Sequence, residues 1–154
     1  MKNTLLCCKE KLENNGLKIT PQRLKIFCCL VNSDSHPTAE FIYKKVRKDF
    51  PNISFDTVNR TLISLVDKSI ARIIEGGYGA RHFDANLKHH YHFRCIRCKR
   101  IIDFECPEYD NIDIPKDIRD KFMVTKQEIV LEGICPECLE KIKENKIKEV
   151  HNGN

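Results

Sequence analysis

SFDTVNRTLISLVDKSIARIIEGGYGARHF, residues 54–83, changes its apolar period once, and that change decides the fold of the first half of the chain. Ser54 caps a helix, because a side-chain oxygen there accepts from one of the backbone N–H groups that a helix start leaves unbonded. Val58, Leu62, Leu65 and Val66 follow at three- and four-residue spacing as its buried stripe. The apolar run Ile70 to Ile74, a Gly76-Gly77 turn and a second extended stretch through Phe83 then read as a β-hairpin. Upstream, Thr38 caps a third helix whose Ile42, Val46 and Phe50 face inward and which must end before Pro51. Thr20-Pro21 supplies an N-cap and a proline at the first helical position, with Leu24, Phe27, Cys28 and Val31 at helical spacing. An earlier helix covers Leu5 to Asn15 and stops near Gly16. Helices closed by a hairpin make a winged helix, expected over residues 1–84.

From His89 the pattern turns to strand signals at Tyr91 to Cys95, Arg100 to Glu105 and Gln127 to Ile134. A short helix near Ile114 to Phe122 and a charged one from Glu137 to Lys148 complete the unit. These elements are too few to bury their own faces, so they are expected to pair across a two-fold axis in a homodimer. The fold class is therefore α+β, a winged helix-turn-helix domain followed by a small α/β dimerisation domain over residues 85–154. No repeat or low-complexity linker interrupts it.

A chain of 154 residues with 41% apolar content fills one ordinary domain or two small ones. Met1 to Leu17 carries charges throughout and no long apolar run, so neither a secretory signal nor a membrane span is expected, and the cytoplasm is the expected location. The net charge is +5, with 14 Lys and Arg against 9 Asp and Glu through Asp84 and 13 against 13 beyond it. All the excess sits in the first half, which points that half toward nucleic acid, since phosphate neutralisation supplies most non-specific DNA affinity. A merely solvated basic surface would leave the same imbalance.

Nine cysteines in a reducing compartment argue for metal ligation or redox chemistry more than for a disulfide framework. Cys95-x2-Cys98 and Cys135-x2-Cys138 offer four thiolates as two close pairs, the arrangement tetrahedral zinc takes when each pair sits on a tight turn. Four cysteines leave no open coordination position, so the site reads as a structural staple rather than a catalytic centre. The competing reading is two reducible disulfides or incidental thiols.

Asp84, His89, His90, His92 and Asp103 flank the first cysteine pair, and His36 lies earlier at a turn joining two helices. In a strand His90 and His92 project from one face while His89 points away. Imidazole and carboxylate together suit Fe(II), Mn(II) or Zn(II), a harder donor set than four thiolates. The bland alternative is a row of exposed strand histidines. On the helix after Ser54, the residues Asp56, Thr57, Asn59, Arg60, Thr61 and Ser64 lie off the buried stripe in a polar face that fits a major groove. Arg60 is suited to guanine or phosphate, although a solvated face has the same composition.

Thr20-Pro21-Gln22-Arg23, His36-Pro37-Thr38-Ala39-Glu40, Thr57-Val58 after Ser54, and His90-Tyr91-His92-Phe93-x-Cys95-x2-Cys98 closely resemble the ferric uptake regulator (Fur) superfamily, in order and over nearly the whole chain. The details look most like its peroxide-sensing PerR branch. That resemblance implies a regulatory Fe(II) or Mn(II) held by His36, Asp84, His90, His92 and Asp103, beside a structural zinc. It also implies a homodimeric repressor, not an enzyme, that reads a palindromic operator in double-stranded DNA through residues such as Arg23, Thr57, Asn59 and Arg60. Metal binding would fix the angle between the two halves. The implied sensing chemistry is reduction of hydrogen peroxide by bound Fe(II), with the oxidant converting His36 or His90 to 2-oxo-histidine and freeing the DNA. Asp103 stands where iron sensors of the superfamily carry Glu, and Tyr91 and Gln127 stand where many of them ligate a further metal, so that extra site is not expected.

Three positions depart from the resemblance. Asn59 replaces a common recognition-helix tyrosine, His82 interrupts the Arg-aromatic-acid run and is a rival or extra ligand, and Lys99 replaces the glycine that often follows the second cysteine. Other readings are a Fur-type iron or zinc sensor acting by reversible occupancy, a non-haem iron enzyme using His36, His90 and His92, and a thiol switch using Cys7, Cys8, Cys28 or Cys29. The bland account of the last is that Cys28 and Cys29 are small core residues.

Overall fold

The computed structural model describes residues 2–33, 35–74, 80–125 and 127–151. In the first half, α1 (Lys2–Asn14) stops at Gly16, whose φ of +69 is open to a residue without Cβ. Gly16 N and Leu17 N bond back to the Glu13 and Leu12 carbonyls. Each of the next three helices starts where a hydroxyl closes its first turn. Thr20 Oγ1 accepts from Arg23 N at 3.2 Å to open α2 (Pro21–Val31), and Thr38 Oγ1 from Phe41 N at 3.2 Å to open α3 (Ala39–Val46). Ser54 Oγ accepts from Thr57 N at 3.1 Å to open α4 (Phe55–Asp67). The third helix stops at Val46, short of Phe50, which it was expected to include. Arg47 N and Phe50 N still bond to the Tyr43 and Val46 carbonyls, so a hydrogen-bonded turn rather than helix keeps Phe50 half-buried ahead of Pro51.

Cys8, Leu12, Ile26, Phe27, Leu30, Ile42, Val46, Val58, Leu62, Leu65 and Phe83 bury together in one cluster. Each large apolar side chain contributes about 1.5–3 kcal/mol by burial, against about 1 kcal/mol for a cap, so packing holds the bundle and caps set its register. Burial pushes the Cys8 thiol up to about 12 and raises that of Cys29. Such thiols stay protonated and fill space, and Cys28 and Cys29 pack partly buried against the cluster.

The hairpin forms from β1 (Arg72–Ile74) and β2 (His82–Asp84), antiparallel with Arg72 opposite Asp84 and Ile74 opposite His82. The Gly76-Gly77 turn lies outside the described residues. A bridge from Thr38 to His82, and the bond from Phe83 N to Pro37 O at 3.0 Å, tie the hairpin to the start of α3. The chain divides into two compact units, Met1–Lys88 and His89–Asn154.

The second unit is built on β3 (Tyr91–Cys95), β4 (Ile101–Phe104) and, after α5 (Lys116–Lys121), β5 (Val130–Gly133), followed by α6 (Pro136–His151). The sheet order is β4-β3-β5, with β3 antiparallel to β4 and parallel to β5. Strands β4 and β5 are shorter than the stretches expected for them, while β3 has the expected span. Helix α5 is confined between Pro115 and an extended Phe122 (φ −129), and a 3-10 turn at Pro107–Asn111 adds an element that the apolar pattern does not signal. The core of this unit is thin: Cys95, Cys135 and Cys138 bury together with Phe93 and Ile102 partly covered. Ile118, Phe122, Met123, Val130, Leu131 and Leu139 are exposed. No helix among the described residues is long and apolar enough to cross a membrane.

Candidate metal centres

Strand β3 delivers Cys95 to a tight turn in which Lys99 N bonds to Cys95 O and Cys95 N to Arg100 O, both at 2.9 Å. Lys99 holds φ at +63 to close it, the conformation a glycine adopts without strain. The second pair brackets the start of α6, where Leu139 N bonds to Cys135 O at 2.9 Å. Cys98 Sγ and Cys135 Sγ stand 3.7 Å apart, and all four Sγ atoms of Cys95, Cys98, Cys135 and Cys138 lie within 4.8 Å of one another. Tetrahedral thiolates about 2.3 Å from one zinc ion are about 3.8 Å apart, so the donor set and its spacing fit structural zinc. The electrostatics agree. Backbone N–H groups of Cys135 and Cys98 point at Cys95 Sγ from 3.4 and 3.5 Å and bring that thiol down to about 6. Cys138 is pushed up to about 12 by burial and by the neighbouring thiols. One thiolate is thus prepared by the backbone, and four together need a cation to offset their charge.

On the same sheet, the β3–β4 register sets His92 opposite Asp103. Asp103 Oδ1 is 3.5 Å from His90 Nε2 and 3.6 Å from His92 Nε2, and the two rings meet at 77° with centroids 4.8 Å apart. These separations are long for hydrogen bonds. They match two donors about 2.1 Å from a common ion, which stand about 3–3.5 Å apart. His90 lies just before β3 and projects with His92, while His89 turns to the other side. There His89 Nε2 sits 3.1 Å from Tyr91 Oη and 3.0 Å from Asp110 Oδ1, and Tyr91 Oη–H donates to Asp110 at 2.6 Å. Burial and the Asp110 carboxylate push the Tyr91 phenol up to about 12. Tyr91, Asp110 and Gln127 line a cavity of about 360 Å³.

In the first unit His36 and Asp84 are buried, with His36 Nε2 4.0 Å from Asp84 Oδ2. Asp84 accepts from Arg72 Nε at 2.8 Å and from Asn86 N at 2.7 Å, which fixes its carboxylate at the end of β2. His36 itself has φ of +44. His82, left by its position in the sequence as a rival ligand, places Nδ1 2.6 Å from the His36 carbonyl oxygen.

Thr61 sits among the residues of the polar face of α4 but is itself buried, its hydroxyl donating to Thr57 O at 2.8 Å within the helix. Arg23, Asp56, Thr57, Arg60, Thr61 and Ser64 line a concavity of about 320 Å³, with Arg60 Nη1 3.8 Å from Asp56 Oδ2. Arg23 Nη1 donates to Lys18 O, and its buried Nε has no hydrogen-bond partner among the described residues. Asn59 is half-buried and does not line this concavity.

Known proteins are similar to this chain in sequence and fold. The Ferric uptake regulator family matches residues 14–132. The peroxide-responsive repressor PerR of Staphylococcus saprophyticus is 37% identical over 131 residues, covering 84% of this chain and 88% of that protein. Among solved structures, the Helicobacter pylori ferric uptake regulator Fur, described as having three functional metal-binding sites, superposes with a TM-score of 0.70. Its identity is 25%, over 90% of this chain and 93% of that one. A zinc-bound manganese uptake regulator gives 0.66 at 25% identity, over 83% and 98%. With the matched region spanning both units and most of the relatives' own length, the chain belongs to the ferric uptake regulator family.

Proposed function

We propose that this chain is a DNA-binding repressor whose regulatory ion is held by His36, Asp84, His90, His92 and Asp103, and which lets go of DNA when peroxide oxidises His36 or His90. The observation that carries the reading is the Asp103 carboxylate, 3.5 and 3.6 Å from two imidazole nitrogens on one side of the sheet, a mixed donor set apart from the four thiolates. The 37% identity to a peroxide-responsive repressor supports the sensing role.

In this reading His90, His92 and Asp103 bind from the second unit, and His36 and Asp84 bind from the first. Arg72 and Asn86 orient the Asp84 carboxylate. A bound Fe(II) supplies the electron that reduces hydrogen peroxide. His36 and His90 are both buried, and losing either imidazole as a ligand would weaken the site. Arg23, Thr57 and Arg60 contact a palindromic operator, one half-site per subunit, with Asn59 reading from the flank of α4. The exposed apolar residues of the second unit meet their copies across the homodimer axis.

The test is to prepare zinc-loaded protein without oxygen, fill the second site with Fe(II), add stoichiometric hydrogen peroxide and map peptides by mass spectrometry. One added oxygen on the peptide containing His36 or His90, absent when Mn(II) replaces Fe(II), is the expected result. Unmodified histidines with iron still bound would leave a sensor that acts by reversible occupancy.

A further inference from the structure

His36 is a non-glycine residue at φ +44, followed by Pro37, which narrows the backbone choices of the residue before it. Such a conformation persists only where the surroundings hold it. The atom that reaches its carbonyl is His82 Nδ1, 2.6 Å away, across 46 residues of sequence. A carbonyl can only accept, so His82 Nδ1 carries the proton and donates. Around this bond, Thr38 bridges to His82 and Phe83 N donates to Pro37 O at 3.0 Å, so three consecutive residues of the loop are gripped by two consecutive residues of β2. The strand alternation then puts Asp84 on the same face as His82. One short strand thereby supplies both the grip on His36 and the carboxylate 4.0 Å from its Nε2.

We infer that His82 is a positioning residue for the regulatory site: its Nδ1–H clamps the His36 carbonyl and holds the left-handed backbone that presents the His36 imidazole. The inference rests on the reading of His36 as a ligand. It also separates His82 from the ligand role its sequence position suggested, since the nitrogen facing the loop is spent on a carbonyl.

Asparagine tests this directly. Its Nδ2 occupies the branch position of histidine Nδ1 and donates to the same carbonyl, but it has no atom where Nε2 stands. Leucine has neither. The measurement is Mn(II) titration of full-length, zinc-loaded protein with free Mn(II) read by electron paramagnetic resonance, using His82→Asn, His82→Leu and His36→Ala. The clamp predicts that His82→Leu loses about tenfold in Mn(II) affinity, the size usual for partners that orient a ligand, while His82→Asn binds as the parent does. Zinc content and thermal midpoint stay at parental values in both. In the protein without regulatory metal, the three-bond HN–Hα coupling of His36 reports its φ. It should change in His82→Leu and persist in His82→Asn.

His82→Leu binding Mn(II) like the parent, where His36→Ala does not, overturns the clamp. His82→Asn as weak as His82→Leu, with the His36 coupling unchanged in both, overturns it in favour of direct ligation. If His36→Ala leaves Mn(II) binding intact, the reading of His36 as a ligand fails instead, and the coupling measurement still decides the clamp.

Discussion

Asp103 is the residue on which the two metal sites are most plainly separated. It is partly exposed, and its Oδ1 stands 3.5 and 3.6 Å from two imidazole nitrogens, a spacing that suits donors sharing one cation. Asp103→Ala is expected to lower Mn(II) affinity by at least about tenfold while leaving one zinc per chain, measured by titration and metal analysis side by side. Tyr91 makes a prediction about pH. Its phenol is shifted from the ordinary value of 10.0 to about 12 because burial and the Asp110 carboxylate favour the protonated form. The folded-state value is raised, so the stabilisation is complete below pH 10 and is lost as the pH climbs toward 12. Denaturant unfolding of the parent and of Tyr91→Phe, followed across that window, should converge at its upper end. A difference between them that is constant with pH would refute the assignment.

At the scale of elements, α4 divides its work between a cap and a stripe. Removing the cap with Ser54→Ala is expected to cost about 1 kcal/mol, and Leu62→Ala, which opens a cavity in the buried cluster, about 2–5 kcal/mol. Denaturant midpoints of the two variants should fall in that order. Near-equal losses would mean that packing does not dominate this helix. The start of the helix and its buried stripe were legible beforehand, because a hydroxyl three residues before an N–H and an apolar residue every third or fourth place are local signals. The short β strands were less so. Their ends depend on where a partner strand stops offering hydrogen bonds, and the parallel pairing of β5 with β3 is a non-local choice that no alternation pattern encodes.

For the whole molecule, the contrast between the two units sets the expectations. The first has a continuous apolar core; among the described residues of the second, the buried cluster is three cysteines, with Tyr91 and Ile101 the other buried apolar side chains. Structural zinc contributes on the order of 10–16 kcal/mol to folding such small sites, more than so thin a core supplies. Stripping zinc with a strong chelator should therefore unfold the second unit and convert a species of twice the 18.0 kDa chain mass to monomer in sedimentation, leaving the helical signal of the first unit largely intact. A chelated protein that keeps its dimer mass would show that the staple is dispensable. On DNA, Arg23→Ala should reduce the slope of log affinity against log salt by about 1 for each phosphate left without its cation, with little change in sequence preference, whereas Arg60→Ala should relax preference at one base step.

By itself the sequence determined what local chemistry and periodicity can carry: three hydroxyl-capped helices, a hairpin after α4, two thiolate pairs at turn spacing, and His90 and His92 on one side of a strand with His89 on the other. Each of these is written within a few residues, so no knowledge of distant neighbours is needed. Tertiary structure decided the remainder. It buried most of Thr61, whose hydroxyl is satisfied inside its own helix, at the floor of the concavity that the polar face of α4 lines. It set Asp103 opposite His92 through strand register, which one residue of slip would have reversed. It brought His82 Nδ1 to the His36 carbonyl, since a bond across 46 residues exists only once β2 has docked beside the start of α3.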